Sequence, residues 1–162
     1  MMIGVDLRDR DVLVVGGGRV AARRVPGLLA EGARVTVVAP ETTAALARMQ
    51  AEGGVRLVRR RVRRSDLDTA WFVLATTDDE EVNRRVAGWA DQRRLWCVNA
   101  SRADSGSARQ AATTRHGPVM VGVLSVGSPD PRRSSDVRDA VAGLLASGEV
   151  DLSPRRTTAA AR

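Results

Sequence analysis

Three consecutive glycines, Gly16, Gly17 and Gly18, form the segment whose residue types and spacing most clearly predict chemistry. With Ala21 they complete the pattern Gly-x-Gly-x-x-Gly/Ala, in which glycines allow a tight turn and let a pyrophosphate approach the backbone. The N–H groups at the start of the following helix, with Arg19 and Val20, would bind the phosphates. The loop therefore predicts a dinucleotide site, and a glycine turn that binds no nucleotide is the alternative.

The segment after the second predicted strand bears on the choice of cofactor. The acidic residue that usually ends this strand and binds the ribose 2′-OH is missing, because Val38 is followed by Ala39 and Pro40. Glu41 comes next. It would either bind the ribose and favour NAD over NADP, or complement the dipole of the next helix from its first turn.

Polar residues also follow the fourth predicted strand. Thr76, Thr77 and Asp78 would lie at the carboxyl edge of the sheet, where ligands bind in open α/β folds. Their hydroxyls are expected to face the cofactor, while Asp78 or Asp79 would cap the next helix.

A parallel sheet must position these loops. Short apolar runs alternate with amphipathic segments through about residue 100, which predicts an α/β, Rossmann-like open parallel sheet. Pro26 inside the first helix predicts a kink or displaced helix ends. The predicted strands are 11–15, 34–38, 55–59, 71–75 and 95–99, and the predicted helices are 19–31, 41–52 and 79–93.

The pattern changes after Asn99 and predicts three regions: a dinucleotide-binding domain, 1–112, a small α+β segment, 113–152, and a disordered tail, 153–162. Residues 108–114 are weakly patterned, and a strand is expected at 118–124. A helix is expected at 134–147, and its inward side chains are predicted to be Val137, Val141, Leu144 and Leu145.

Composition limits the partners. All 26 basic residues are arginine and the net charge is +7, but tyrosine is absent and Phe72 is the single phenylalanine, so a stacking platform for nucleic acid is hard to build. No apolar run is long enough to span a membrane, and the start of the chain does not resemble a secretory signal, so a cytoplasmic location is expected. The lone Cys97 predicts a core residue, and no metal site is predicted.

Several segments together carry a family resemblance: 13–24, 32–40, 75–79 with Asn83, 115–121 and 125–129. Over roughly residues 4–150 the chain resembles the precorrin-2 dehydrogenase family, the N-terminal module of siroheme synthases. The resemblance implies NAD-dependent oxidation of precorrin-2 to sirohydrochlorin in siroheme biosynthesis, and some relatives also insert ferrous iron. It further implies a homodimer formed through the segment after about residue 113.

The resemblance also implies how an acidic tetrapyrrole would be bound. Guanidinium groups bind carboxylates in bidentate fashion, so Arg102 and Arg115 are expected to contact the substrate, and Ser125 to hydrogen-bond it. Arg109, Arg132 and Arg133 lie in the same region of the sequence.

The catalytic position departs from the family pattern. The aspartate that relatives carry as general acid/base or metal contact falls on Ser101, a neutral hydroxyl. Asp104 or water would then take the proton, and His116, the only histidine, could relay it. A non-catalytic dinucleotide-sensing or interaction module that retains the fold is therefore the alternative to the enzyme.

Overall fold

The structure of the chain is a computed structural model that describes residues 2–102 and 104–153. The described residues form two compact units that divide between Arg109 and Gln110, near the predicted boundary at 112. Apart from Ser153, the predicted tail 153–162 lies outside the described residues.

Within the described part of the first unit, five parallel strands form one sheet: β1 Asp11–Val15, β2 Arg34–Val38, β3 Val55–Val58, β4 Phe72–Ala75 and β5 Trp96–Asn99. Their order in the sheet is β3-β2-β1-β4-β5. The register pairs Val15 of β1 with Val38 of β2 and Ala75 of β4, so the carboxyl ends of these strands are level. This arrangement confirms the predicted α/β, Rossmann-like sheet.

Three helices follow strands of this sheet: α1 Arg19–Ala30, α2 Ala44–Ala51 and α3 Glu80–Asp91. Helix α1 continues through Pro26, which is exposed, so the proline does not displace the helix ends. Helix α2 begins later than predicted because the hydroxyl of Thr43 caps it, accepting the Leu46 N–H at 3.4 Å.

The core lies on both faces of the sheet, because the strands alternate their side chains between the faces. On one face Val12 and Val14 pack with Val25 of α1, and on the other Leu13 packs with Val86 of α3. Cys97 is 1% exposed, and burial raises the pKa of its thiol to about 12. The predicted role of Cys97 as a core residue is therefore confirmed.

An ion pair holds the connection between β3 and β4, which contains a 3-10 turn at Arg64–Leu67. Both Asp66 oxygens accept from the Arg60 guanidinium, at 2.7 and 2.6 Å, and Oδ2 also accepts the Arg63 N–H at 2.7 Å. The hydrogen bond from Arg60 is the main reason that the pKa of Asp66 lies below its usual value. The carboxylate thus stabilises the fold only while it is ionised.

Replacing Asp66 with Asn is expected to lower the free energy of unfolding by about 2 kcal/mol at pH 7, since charge-assisted hydrogen bonds are lost. Because the pKa is lowered in the folded state, this contribution is present above the ordinary carboxyl pKa and disappears as the pH falls through the lowered value. Denaturant unfolding at several pH values measures it. Asp68→Asn is the control. The Asp68 side chain pairs with Arg93 but is 57% exposed, so this ion pair should contribute less to the free energy of unfolding. If Asp66→Asn and Asp68→Asn lose equal amounts of unfolding free energy, the Arg60–Asp66 ion pair is not the stronger of the two.

The second unit contains a hairpin and a helix. Strands β6 Ala112–His116 and β7 Val119–Val123 pair antiparallel, and Gly117 at the turn has a φ of 55°. The strand predicted at 118–124 is confirmed, whereas β6 was missed. Helix α4, Pro131–Ala146, begins earlier than predicted because Asp130 accepts the Arg133 N–H at 2.9 Å.

Helix α4 packs on the hairpin through a face that includes only part of the predicted inward set. Ser134 and Leu145 are buried, and they share one helical face. The predicted burial of Leu145 is confirmed and Val141 is half-buried. The prediction that Val137 and Leu144 point inward is wrong, since they are 45% and 50% exposed. The hairpin covers the face of α4 that contains Ser134 and Leu145. Val137 and Leu144 therefore form an apolar stripe at the surface of this unit.

Candidate functional site

The glycine loop connects β1 to α1 and touches the segments that follow two neighbouring strands. Gly16 has a φ of 112°, and its N–H donates to the Val38 carbonyl at 3.0 Å. A Cβ at Gly16 would lie 2.9 Å from the backbone of Thr76 and Thr77. The Gly17 carbonyl accepts the Thr43 N–H at 3.0 Å, so the loop is held from both sides.

Gly18 is the exposed member of the loop and the N-cap of α1. Its φ of −80° and ψ of −167° are extended, and no side chain in residues 2–102 and 104–153 caps the helix. Nothing in the same residues lies within 4 Å of a Cβ built at Gly18. The first N–H groups of an α-helix lack intrahelical partners, so the start of α1, with Arg19 and Val20, has donors and space for a pyrophosphate.

Pro40 and Glu41 are exposed and lie beside the glycine loop. A Cβ at Gly17 would overlap the Glu41 carbonyl, which places the Glu41 backbone directly against that glycine. The alternative that Glu41 is a first-turn residue of α2 is wrong, because α2 begins at Ala44. Glu41 is therefore an exposed residue beside the glycine loop, and its contact with the ribose remains a prediction.

The hydroxyls after β4 do not have the predicted orientation. Thr76 is 5% exposed, and its hydroxyl donates to the Val15 carbonyl at 2.9 Å. The Thr77 hydroxyl lies 2.9 Å from the Asp79 carbonyl and 2.8 Å from Asn83 Oδ1. The expectation that these hydroxyls face the cofactor is wrong, because a hydroxyl at a buried strand end needs an internal acceptor.

Two acidic residues, Asp78 and Asp79, follow these threonines, and one of them caps the next helix. Asp79 caps α3, its Oδ1 accepting the N–H groups of Glu81 and Val82 at 2.9 and 3.1 Å. Asp78 is exposed and does not act as this cap. A ligand at this edge would therefore meet the exposed side chain of Asp78.

Two buried asparagines lie beside this edge, and the sequence assigned neither of them a role, although Asn83 was among the residues that carry the family resemblance. Asn83 of α3 is fully buried and Asn99 at the end of β5 is 3% exposed. Asn83 Nδ2 donates to Ser101 Oγ at 3.0 Å, and Ser101 Oγ donates to Asn99 Oδ1 at 2.8 Å. The sequence did contain a signal for Asn83, because it is a polar residue on the same helix face as the apolar Val86 and Ala90.

The loop after β5 brings Ser101, Arg102 and Asp104 together, and all three are exposed. Arg102 Nη2 lies 3.0 Å from Asp104 Oδ2. The hydrogen bond from Arg102, followed by its charge, holds the pKa of the Asp104 carboxyl below the usual value. Asp104 is therefore a weaker base than an isolated aspartate, which argues against it as the replacement base.

A cavity of about 410 Å³ lies in the first unit beside this loop. Two acidic and two basic side chains line it, so an acidic ligand would find guanidinium groups at its wall. Its lining contains Glu80, Arg84, Asn99, Arg102, Asp104 and Ser105, of which only Arg102 and Asp104 were predicted to belong to a site.

The remaining predicted site residues lie in the second unit. Arg115 and His116 are exposed at the end of β6, so His116 is a strand residue beside the turn at Gly117. The Ser125 hydroxyl lies 2.7 Å from both the Asp130 carbonyl and Ser134 Oγ. These contacts join the end of β7 to the start of α4.

Within residues 2–102 and 104–153, no group of three or more His, Cys, Asp or Glu side chains is arranged to hold a metal ion. No helix in that part of the chain is long and apolar enough to cross a membrane.

A parallel sheet with a glycine loop at an uncapped helix start defines a dinucleotide-binding, Rossmann-like domain. Residues 3–111 match the NAD(P)-binding family model, so the cofactor is a nicotinamide dinucleotide. The solved structure of SirC, a precorrin-2 dehydrogenase, is 30% identical, covers 93% of this chain and 71% of its own, and superposes with a TM-score of 0.76. The chain belongs to the precorrin-2 dehydrogenase family.

Two curated relatives are similar over parts of their length. The precorrin-2 dehydrogenase of Priestia megaterium is 45% identical over 82 residues, which is 51% of this chain and 41% of the relative. The siroheme synthase of Salmonella typhimurium is 37% identical over 139 residues, which is 86% of this chain and 30% of the relative. This chain therefore spans less than half the length of these relatives.

Proposed function

We propose that this chain catalyses the NAD-dependent oxidation of precorrin-2 to sirohydrochlorin in siroheme biosynthesis. The observation that carries the proposal is the open glycine loop at the uncapped start of α1, in a chain of the precorrin-2 dehydrogenase family. The proposed substrate is taken from the relatives, which are a precorrin-2 dehydrogenase and a siroheme synthase. The proposed cofactor site is the glycine loop.

The residues around the loop fit a dinucleotide. The N–H groups at Arg19 and Val20 would bind the pyrophosphate over Gly18, where the backbone is unobstructed. Glu41 would accept the ribose hydroxyls. When bound, the nicotinamide accepts two electrons from the tetrapyrrole as a hydride. The protein's contribution is to position the cofactor and substrate, and positioning alone lowers the barrier to such a transfer.

Glu41 favours NAD over NADP in this account. Its exposed carboxylate would repel a 2′-phosphate, so we expect the protein to bind NADH about tenfold more tightly than NADPH. Glu41→Arg should reverse or abolish this preference. Fluorescence titration with each cofactor measures it.

Glu52→Arg is the matched control for that experiment, since it makes the same change of charge at another exposed glutamate, the residue after α2. Its preference should remain that of the unaltered protein. If NADH and NADPH bind equally well, and Glu41→Arg changes neither affinity, Glu41 does not select the cofactor.

The substrate carries many carboxylates, which suits a protein whose basic residues are all arginine. Arg102 and Arg84 at the cavity would bind some of them, exchanging their present contacts with Asp104 and Glu81. Arg115 and Ser125 remain candidate substrate contacts. Because Ser101 carries no carboxylate, we assign the departing proton to water, and His116 remains the candidate relay.

The proposal includes a homodimer in the cytoplasm. The exposed Val137 and Leu144 form a stripe on α4, and a second copy of the chain would bury it. We propose no nucleic-acid or membrane partner.

A non-catalytic dinucleotide-binding module is the second candidate. It is favoured by Ser101, which lacks the basicity of a carboxylate, and by the lowered pKa of the neighbouring Asp104. Such a module would use the same glycine loop and would bind NADH as tightly as the proposed enzyme.

Anaerobic incubation with precorrin-2 and NAD separates the two candidates. The enzyme should produce the absorbance spectrum of sirohydrochlorin over several turnovers. Binding of NADH without conversion, beside an active relative as positive control, would reject the enzyme and retain the module.

A further inference from the structure

The chain contains two asparagines, Asn83 and Asn99, and both lie buried beneath the loops that follow β4 and β5. A buried amide is costly unless its donors and acceptors are all paired. The partners of these two amides therefore indicate what each residue holds in place.

Asn83 binds both polar groups of one backbone residue. Its Oδ1 accepts the Thr77 N–H at 3.0 Å and its Nδ2 donates to the Thr77 carbonyl at 2.8 Å, which fixes the orientation of the amide. The remaining Nδ2 hydrogen is directed to Ser101 Oγ, at 3.0 Å. One side chain thus joins the loop after β4 to the loop after β5.

Asn99 completes the connection from the other side. Its Oδ1 accepts the N–H groups of Ser101 and Arg102, at 3.0 and 3.1 Å, and its Nδ2 donates to Ser105 Oγ at 2.7 Å. Because Asn99 Oδ1 can only accept, the Ser101 hydroxyl donates its proton to it and accepts from Asn83. The orientation of the Ser101 hydroxyl is therefore determined by two buried amides.

The loop after β4 also contacts the glycine loop. The backbone of Thr76 and Thr77 lies so close to Gly16 that a Cβ there would be 2.9 Å away. A change in the position of Thr77 would therefore reach Gly16 directly. Through Asn83, the same change would reach Ser101.

We propose that Asn83 is a positioning residue that couples occupation of the dinucleotide loop to the conformation of the Ser101 loop, with Asn99 as its partner. The inference rests on the proposed function for the identity of the dinucleotide. The coupling places the side chain at position 101 in a set orientation when the cofactor is bound. Packing alone does not explain Asn83, because an apolar residue at this buried helix position would need no hydrogen bonds.

Hydrogen exchange at the amides of Ser101 and Arg102 tests the coupling, since both amides donate to Asn99. Saturating NADH should slow their exchange about tenfold or more in the unaltered protein. In Asn83→Asp, whose carboxylate cannot donate to Thr77 or Ser101, NADH should have no such effect. The Kd for NADH should also rise about tenfold.

Val86→Ala controls for loss of stability, since Val86 is a buried core residue of the same helix. It should retain the NADH-dependent protection. If Asn83→Asp does not fold, Ser101→Ala replaces it: Ser101 is exposed, and its alanine variant should lose the protection at Arg102.

Two results would overturn the inference: protection that is absent from the unaltered protein, or protection that persists in Asn83→Asp or Ser101→Ala. An NADH-binding protein that shows the protection but does not oxidise precorrin-2 would instead reject the proposed function and leave the coupling established.

Discussion

Valine at position 18 is expected to abolish dinucleotide binding while the fold is retained. The Gly18 backbone is extended, with a φ of −80°, a conformation that β-branched residues adopt readily. The valine side chain would meet no described protein atom within 4 Å of its Cβ but would fill the space over the start of α1. We expect the Kd for NADH to rise about 100-fold or more, because the phosphates could no longer reach the helix N–H groups.

The neighbouring glycines provide controls for Gly18→Val. Gly17→Ala should instead lower the melting temperature, because its Cβ would overlap the Glu41 carbonyl. Gly27→Ala in α1 has open space around its Cβ and should leave NADH binding unchanged. Fluorescence titration and thermal unfolding of the three variants measure both quantities. Undiminished NADH binding by Gly18→Val would place the phosphates elsewhere.

Ser101→Asp is expected to increase the rate of precorrin-2 oxidation about 100-fold, because a positioned carboxylate can take the proton that otherwise goes to water. An aspartate could still accept from Asn83 Nδ2, while Asn99 Oδ1 would keep its two backbone donors. The gain should appear in kcat, with little change in the KM for NAD. It should diminish at low pH, as the new carboxylate becomes protonated.

Ser101→Asn is the matched control, since it has nearly the same shape as aspartate without its basicity. Comparing the single-turnover rates of the two variants separates the effect of the added base from the effect of a larger side chain in the loop. If Ser101→Asp and Ser101→Asn react at the same rate, the missing carboxylate does not limit the reaction, and proton transfer to water is sufficient.

The sheet and glycine loop could be predicted because their signals are local. Buried parallel strands are rich in β-branched and other apolar residues, as in 12–15 and 35–38. The loop pattern depends on backbone geometry that only glycine tolerates, and Gly16 has the positive φ that this requires. Neither feature depends on residues distant in the sequence.

The features that were missed depend on tertiary partners. Strand β6 has no fully buried residue and is defined by its pairing with β7. The inward face of α4 is chosen by the position of the hairpin, so periodicity alone assigned Val137 and Leu144 to the wrong side. The threonine hydroxyls turned inward because the Val15 carbonyl and Asn83 lie close enough to accept them.

NADH and sirohydrochlorin can be measured together in one anaerobic reaction of the protein with precorrin-2 and NAD. Removal of two electrons from the tetrapyrrole must form equal amounts of the two products. We predict this equality for the unaltered protein and the loss of both products in Gly18→Val. NADH binding without either product, or sirohydrochlorin formed without NADH, would contradict the assignment of this chain as an NAD-dependent dehydrogenase.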